Sequence, residues 1–154
     1  MARVVAAVAL GSSLGERHVH LTFARQGLTD LLPGCRFSSI VETAPVDVPG
    51  EQTPFLNAAA VGECQLTARE LLTALQALEN ARGRVRPYRN APRTLDLDLI
   101  LFGDQIIDEP GLLVPHPRFR DRLFVLEPLA EIGAALVDPV SGLSIEQLLH
   151  KAQH

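Results

Sequence analysis

The sequence contains no tryptophan, one tyrosine, one methionine and two cysteines among its 154 residues. Cys35 and Cys64 lie far apart, with no C-x-x-C spacing. That argues against a disulfide framework or a structural zinc site and favours a reducing compartment, so a cytoplasmic location is expected. Long apolar runs are missing too. Val4 to Leu10 is far too short to span a bilayer, and no export-type cleavage pattern follows it, so no membrane association is expected. No G-x-x-x-x-G-K-[ST] occurs, which excludes kinases built on that phosphate loop. With Tyr88 as its sole tyrosine, the chain lacks the aromatic-rich strands of sheet-based RNA binders. A formal net charge of −4 likewise gives the surface as a whole no attraction for nucleic acid.

What the chain has instead is clustered arginine. All but Lys151 of its 14 basic residues are arginine. Arg82, Arg84, Arg86, Arg89 and Arg93 form one group, and Arg118, Arg120 and Arg122 a second. Codon bias accounts for an arginine preference but not for the clustering. Hydrophobic residues make up 47% and charged residues 21%, a soluble globular composition. The length suits one domain, residues 1–154, with a genuine core.

Along the chain, "RVVAAVAL" (3–10) reads as a buried first strand, and "GSSLG" (11–15) as the turn out of it. A helix is expected from Glu16 to Leu32, stopped by Pro33-Gly34. Further strands are expected over 37–43, 57–66 and 93–102. Between the last two, Thr67 and Glu70 form a capping box, and Leu71, Leu75 and Leu78 form the apolar stripe of a helix that Gly83 ends. The order is that of an α+β, ferredoxin-like βαββαβ core: an antiparallel sheet with helices on one face. Extra C-terminal strands and helices follow: a hairpin around Gly103-Asp104, a helix near Glu127 to Leu136, and one capped by Ser144 and Gln147. The stretches 44–56 and 83–92 are long connections of the kind that carry binding or catalytic residues.

Strand alternation puts Thr94, Asp96, Asp98 and Ile100 on one face and Leu95, Leu97, Leu99 and Leu101 on the other. At about 3.3 Å rise per residue the two aspartates sit roughly 6.5–7 Å apart, a spacing that lets both flank one hard cation. The same pattern also fits a half-exposed strand displaying acids for solubility, or acids neutralised by nearby arginines. Acids beside an arginine-rich loop are what magnesium-nucleotide chemistry requires, metal for the bridging oxygens and guanidinium for the remaining charge. His116, between two prolines and near Arg118, Arg120 and Arg122, is a phosphate ligand or a surface turn residue. Phe55 and Phe124 are core residues or stacking platforms, and Gln76 and Glu79 face either a site or solvent.

"ALGSSLG", "ETAPV", "FLNAA", "GRVR", "APRTLDLDLILFG", "VPHPRF" and "FVLEPLAEI" occur in the order and spacing of bacterial 6-hydroxymethyl-7,8-dihydropterin pyrophosphokinases, which the chain resembles from about Val4 to about Leu149. The resemblance implies diphosphoryl transfer from ATP to the hydroxymethyl group of the dihydropterin, with AMP released, in tetrahydrofolate biosynthesis. It implies two Mg²⁺ ions on Asp96 and Asp98, and Arg84 and Arg93 as catalytic-loop arginines. The ATP site would comprise these arginines, Gln76, Glu79, Arg86, Leu99 through its backbone, His116 and Arg122. The pterin would stack between Phe55 and Phe124, its edge read by Asn57 and by Thr43, Pro45 and Val46. Partners would be these small molecules alone, with the protein a monomer. Ser13, Asn90, Pro117, Gly111 and Leu113 depart from residues usual in such enzymes. Another two-metal nucleotidyl transferase or phosphohydrolase, and a non-catalytic RNA-binding module, are the competing readings.

Overall fold

The computed structural model describes residues 3–13, 16–43, 55–82 and 95–154. Strand β1 (Val4–Ser12) is built from alanine and valine, with small side chains on both sides, which suits a central strand covered twice. It pairs antiparallel with β4 (Phe55–Cys64) on one edge and with β5 (Asp96–Phe102) on the other. The far edge of β4 takes β2 (Arg36–Phe37) and β3 (Val41–Thr43), giving the order β2–β4–β1–β5 with β3 also on β4. The antiparallel sheet of the expected α+β core is therefore present, and the first strand runs on through Gly11 and Ser12, residues expected in a turn.

The strand expected over 37–43 is broken in two, for a side-chain reason. Ser38 N–H donates to the Ala59 carbonyl at 2.9 Å, but the Ala59 N–H is met by the Ser38 hydroxyl at 2.8 Å in place of a backbone carbonyl. Ser39 then turns away, its N–H and hydroxyl both bonding the Glu131 carboxylate, at 3.0 and 2.7 Å. The ladder resumes only at Val41.

Helices α1 (Arg17–Leu31) and α2 (Ala68–Ala81) cover one face of the sheet, where Leu21, Leu28, Leu71 and Leu75 pack on Val8, Leu10, Leu56 and Phe102. The capping box expected at Thr67 and Glu70 is formed, as is the second at Ser144 and Gln147. Helices on one face, however, describe only this half. α3 (Leu123–Gly133) and α4 (Ile145–Gln153) cover the opposite face with Leu126, Leu129, Ile145 and Leu148 on Ala7, Ala59, Val61 and Ile100. Alanines at 6, 7, 58, 59 and 60 leave room for both layers. Helix α3 runs from Leu123 to Gly133 rather than from near Glu127 to Leu136, with Pro128 in its interior; lacking an N–H, Pro128 leaves the Phe124 carbonyl without the usual i+4 donor.

The hairpin expected around Gly103-Asp104 lies further on. Gly103 (φ 57°) turns the chain out of β5, and the ladder forms between β6 (Ile107–Glu109) and β7 (Leu112–Val114), with Gly111 (φ 76°) in the connecting turn. This hairpin is a separate two-stranded sheet. Strand β5 also departs from strict alternation. Ala7 pairs with Leu101 and Val8 with Leu99, so Ile100 is bulged out of the ladder. Leu95, Leu97 and Leu99 face α1 and α2, whereas Ile100 and Leu101 both face α3 and α4, not opposite faces as alternation predicts.

Candidate active site

The sheet register lines up Asn57, Gly11 and Asp96 across β4, β1 and β5, and one pair deeper aligns Ala59, Ala9 and Asp98. These positions share the face covered by α3, so both carboxylates stand on that side, half-buried, at the end of the sheet. The central strand contributes only glycine and alanine between the amide and the acids. A Cβ on Gly11 would fit at ordinary contact distance, 3.6 Å from Asn57 Oδ1, but any longer side chain would project into the space between Asn57 and Asp96. Gly11 thus keeps the floor of a cleft open, a role that its reading as a turn residue missed.

That cleft, of about 400 Å³, is bounded by Gly11, Ser12, Ser13, Phe55, Asn57, Asp96, Asp98, Arg122 and Phe124. Phe55 opens β4 and Phe124 lies in the first turn of α3, where it is 39% exposed. The Arg122 guanidinium stands over the Phe124 ring, 5.6 Å from its centroid. Asn57 is buried, and its amide nitrogen donates to Thr43 Oγ1 at 2.9 Å, which fixes the orientation of the amide. Flat apolar rings, a fixed amide and an arginine form a pocket suited to a small heteroaromatic with polar edges.

A second cleft of about 750 Å³ opens beside it, between the β6–β7 hairpin, β5 and α2. Leu72, Leu97, Leu99 and Leu112 supply its apolar lining, and Asp98, Asp108, Glu109 and His116 its polar groups. Asp98 lines both clefts. His116 is held twice: its N–H donates to the carbonyl of the bulged Ile100 at 3.0 Å, and its Nδ1 accepts from the Arg118 N–H at 3.1 Å. Burial lowers its pKa below the ordinary value, the Arg122 and Arg118 charges lower it further, and Asp96 opposes them. The ring is therefore neutral near pH 7, with Nδ1 as acceptor and Nε2 free to carry the proton.

Glu79 is only 4% exposed, and its carboxylate accepts the Leu97 N–H at 2.9 Å. Leu97 lies on the outer edge of β5, between the two aspartates, so Glu79 satisfies an edge donor and ties α2 to the acid-bearing strand. Gln76, two turns after the helix start, is exposed. Asp96, Asp98, Phe55, Asn57, Phe124 and Arg122 are thus brought together around the smaller cleft, and Leu99 and His116 around the larger. Thr43 joins through Asn57. Pro45, Val46, Arg84, Arg86 and Arg93 lie outside the described residues. Among the described residues no group of three or more His, Cys, Asp or Glu side chains converges as a metal cage. Two carboxylates facing a cleft are instead the oxygen-only donor set that magnesium uses when water and ligand oxygens complete its shell, so the residues fit that ion.

The family model of 7,8-dihydro-6-hydroxymethylpterin-pyrophosphokinase matches residues 7–134. A 2-amino-4-hydroxy-6-hydroxymethyldihydropteridine pyrophosphokinase from Bacillus subtilis (strain 168) is 44% identical over 133 residues, covering 83% of this chain and 77% of that protein. Its counterpart from Pseudomonas aeruginosa is 41% identical over 147 residues, covering 92% and 88%. Among solved structures, wild-type HPPK-DHPS of Plasmodium falciparum superposes on 97% of this chain with a TM-score of 0.77. At 14% identity that likeness speaks to the fold alone, and this chain spans 45% of that one.

Proposed function

The chain belongs to the 7,8-dihydro-6-hydroxymethylpterin-pyrophosphokinase family, and from that premise we propose how its two clefts divide the reaction. The enzyme transfers a pyrophosphoryl group from ATP to hydroxymethyldihydropterin in folate biosynthesis. The substrate hydroxyl oxygen bonds to the β-phosphorus as the bond from that phosphorus to the α,β-bridging oxygen breaks. AMP leaves with the bridging oxygen, and the hydroxyl proton is released. We place ATP in the larger cleft and the pterin in the smaller.

The observation that carries this reading is the position of Asp98 on the border of both clefts, with Asp96 beside it. Acids at that border are where the triphosphate of one ligand meets the hydroxymethyl arm of the other. We assign to Asp96 and Asp98 two magnesium ions, which when bound neutralise triphosphate charge and orient its oxygens. The chain's own contributions are positioning and exclusion of water. Phe55 and Phe124 would sandwich the pterin, while Asn57, oriented by Thr43, would read its edge together with Pro45 and Val46. Arg84 and Arg93 are assigned to the transferring group. Gln76, Arg86, His116, Arg122 and the Leu99 backbone are assigned to ATP, with Glu79 acting through Leu97. We read the protein as a cytoplasmic, monomeric single domain taking no nucleic acid. Its described helices include none long and apolar enough to cross a membrane.

Incubation with ATP, Mg²⁺ and hydroxymethyldihydropterin should yield AMP and the pterin diphosphate in equal amounts. Formation of ADP, or nucleotide turnover independent of the pterin, would refute the assignment and favour another two-metal enzyme.

A further inference from the structure

The larger cleft has one wall that the main sheet does not hold. The β6–β7 hairpin is a two-stranded unit outside the β2–β4–β1–β5 ladder, and an isolated pair of strands is marginal in water. One strand is fixed, because Val114 at the base and Leu112 in the last pair before the turn are buried in the core under α2. The turn itself, Glu109 to Gly111, is exposed, and none of its own side chains enters the core. Yet Glu109, Pro110 and Gly111 all line the cleft. Pro110, Gly111, Leu112 and Leu113 offer a ligand only backbone and hydrocarbon, so any polar recognition they provide depends on where the backbone is held.

Arg69, in the first turn of α2, meets that need. Its Nη1 donates to the Pro110 carbonyl at 3.1 Å and its Nη2 to Glu109 Oε1 at 3.2 Å. Its own carbonyl is capped by the Thr73 hydroxyl at 3.0 Å, and Leu72, three residues on and therefore on the same side of the helix, lines the cleft. One guanidinium thus spans from the helix that floors the cleft to the exposed turn of its hairpin wall. A planar fork holding a carbonyl and a carboxylate at once fixes an angle as well as a distance, which an ammonium cannot do. The charge matters as well. Asp108 and Glu109 place two carboxylates on the rim of a cleft assigned to an anionic ligand, and Arg69 neutralises the second.

We propose that Arg69 is a positioning residue for the nucleotide: it clamps the β6–β7 tip against α2, sets the width of the larger cleft, and so governs ATP affinity without taking part in the transfer. The clamp bonds Glu109 and the Pro110 carbonyl, not Asp96 or Asp98. This rests on the assignment of that cleft to ATP.

The test is steady-state kinetics of Arg69→Ala, Arg69→Lys, Glu109→Ala and the Arg69→Ala/Glu109→Ala double variant, beside amide NMR of the wild type titrated with Mg²⁺ and α,β-methylene-ATP. For Arg69→Ala, KM for ATP should rise about three- to tenfold, as expected for exposed charge-assisted bonds, with kcat within about twofold. Arg69→Lys should recover only part of the loss. Glu109→Ala should cost less, because the Pro110 contact survives, and the double variant should be no worse than Arg69→Ala. An unchanged KM in Arg69→Ala, or a fall in kcat alone, would overturn the clamp. The NMR arm separates this from failure of the cleft assignment. If the ligand leaves the Leu99, Gly111 and Leu112 amides of the wild type unmoved, the nucleotide is not in this cleft. If it shifts them while Arg69→Ala keeps its KM, only the clamp is wrong.

Discussion

Replacing Asp138 by Asn tests the way the cleft-lining end of α3 is fixed in place. Asp138 is fully buried and accepts from the Arg120 Nη2 at 3.0 Å, the Ser141 hydroxyl at 2.7 Å and the Val140 N–H at 3.0 Å, with Arg120 Nε as a further donor. Arg120 lies in the 3₁₀ turn Phe119–Asp121, directly before Arg122 and Phe124. Burial by itself would raise the Asp138 pKa. The Arg120, Ser141 and Val140 hydrogen bonds outweigh it and pull the group from 3.8 to about 2. At about 1.4 kcal/mol per unit, that shift corresponds to roughly 2.5 kcal/mol of folding stability. Removing the charge also strands a guanidinium that is only 26% exposed. Truncated buried pairs lose about 3–5 kcal/mol, and partial exposure lowers that figure, so about 2–4 kcal/mol is expected for Asp138→Asn near pH 7. The folded carboxyl titrates below the unfolded one, so on acidification the unfolded chain takes up the proton first. The stabilisation is complete above about pH 4 and is lost as pH falls toward about 2. Urea unfolding of wild type and variant across that range reads the difference directly. A gap under about 1 kcal/mol near neutrality, or one that does not shrink in acid, would show that the Arg120–Asp138 contact does not hold this segment.

Asp96→Ala and Asp98→Ala should each lower turnover by at least about a hundredfold while leaving the melting temperature nearly unchanged, since both side chains face the clefts rather than the core; near-normal rates in either would remove the metal-binding role. Glu79→Ala should destabilise by about 2–3 kcal/mol by leaving the Leu97 N–H unpaired, and Glu79→Gln, which keeps an acceptor, by about 1 kcal/mol. Urea unfolding that ranks them equal would contradict the tether to β5. His20 is buried on α1, and its Nδ1 accepts the Arg82 Nε–H at 3.0 Å. Burial first and the Arg82 charge second depress its pKa below 6.5, against Glu16. Its ring should therefore titrate below 6.5 by NMR, the Arg82 contact persisting at neutral pH and breaking in acid, and Arg82→Ala should move the midpoint upward.

Local rules made much of this protein readable from its residues. Both capping boxes are four-residue patterns that depend on nothing distant, and both form. The common face of Asp96 and Asp98 follows from alternation because the ladder is regular from Asp96 to Leu99. What escaped depends on partners remote in sequence. The break after Phe37 needs the Ala59 N–H and Glu131, which no inspection of 37–43 supplies. The tie from Glu79 to Leu97 needs β5 at the sheet edge. Helix α3 starts four residues before the expected Glu127 and keeps Pro128 in its interior, a position that local preference disfavours. The two C-terminal helices are expected from their own residues, but the face they cover is not, because an antiparallel sheet can leave one face to solvent and only the run of alanines on β1 and β4 hints otherwise.

The bulge at Ile100 divides β5 into two segments that keep separate phase. Before it, Leu95, Leu97 and Leu99 enter the α1 and α2 core, the last two also lining the larger cleft, and Asp96 and Asp98 stand on the other face; after it, Leu101 enters the α3 and α4 layer and Phe102 the opposite one. The acids and the hydrophobic end of the strand are therefore insulated from each other. The bulge also presents the Ile100 carbonyl that holds His116, so deleting Ile100 would cost one wall of the larger cleft together with a buried core side chain.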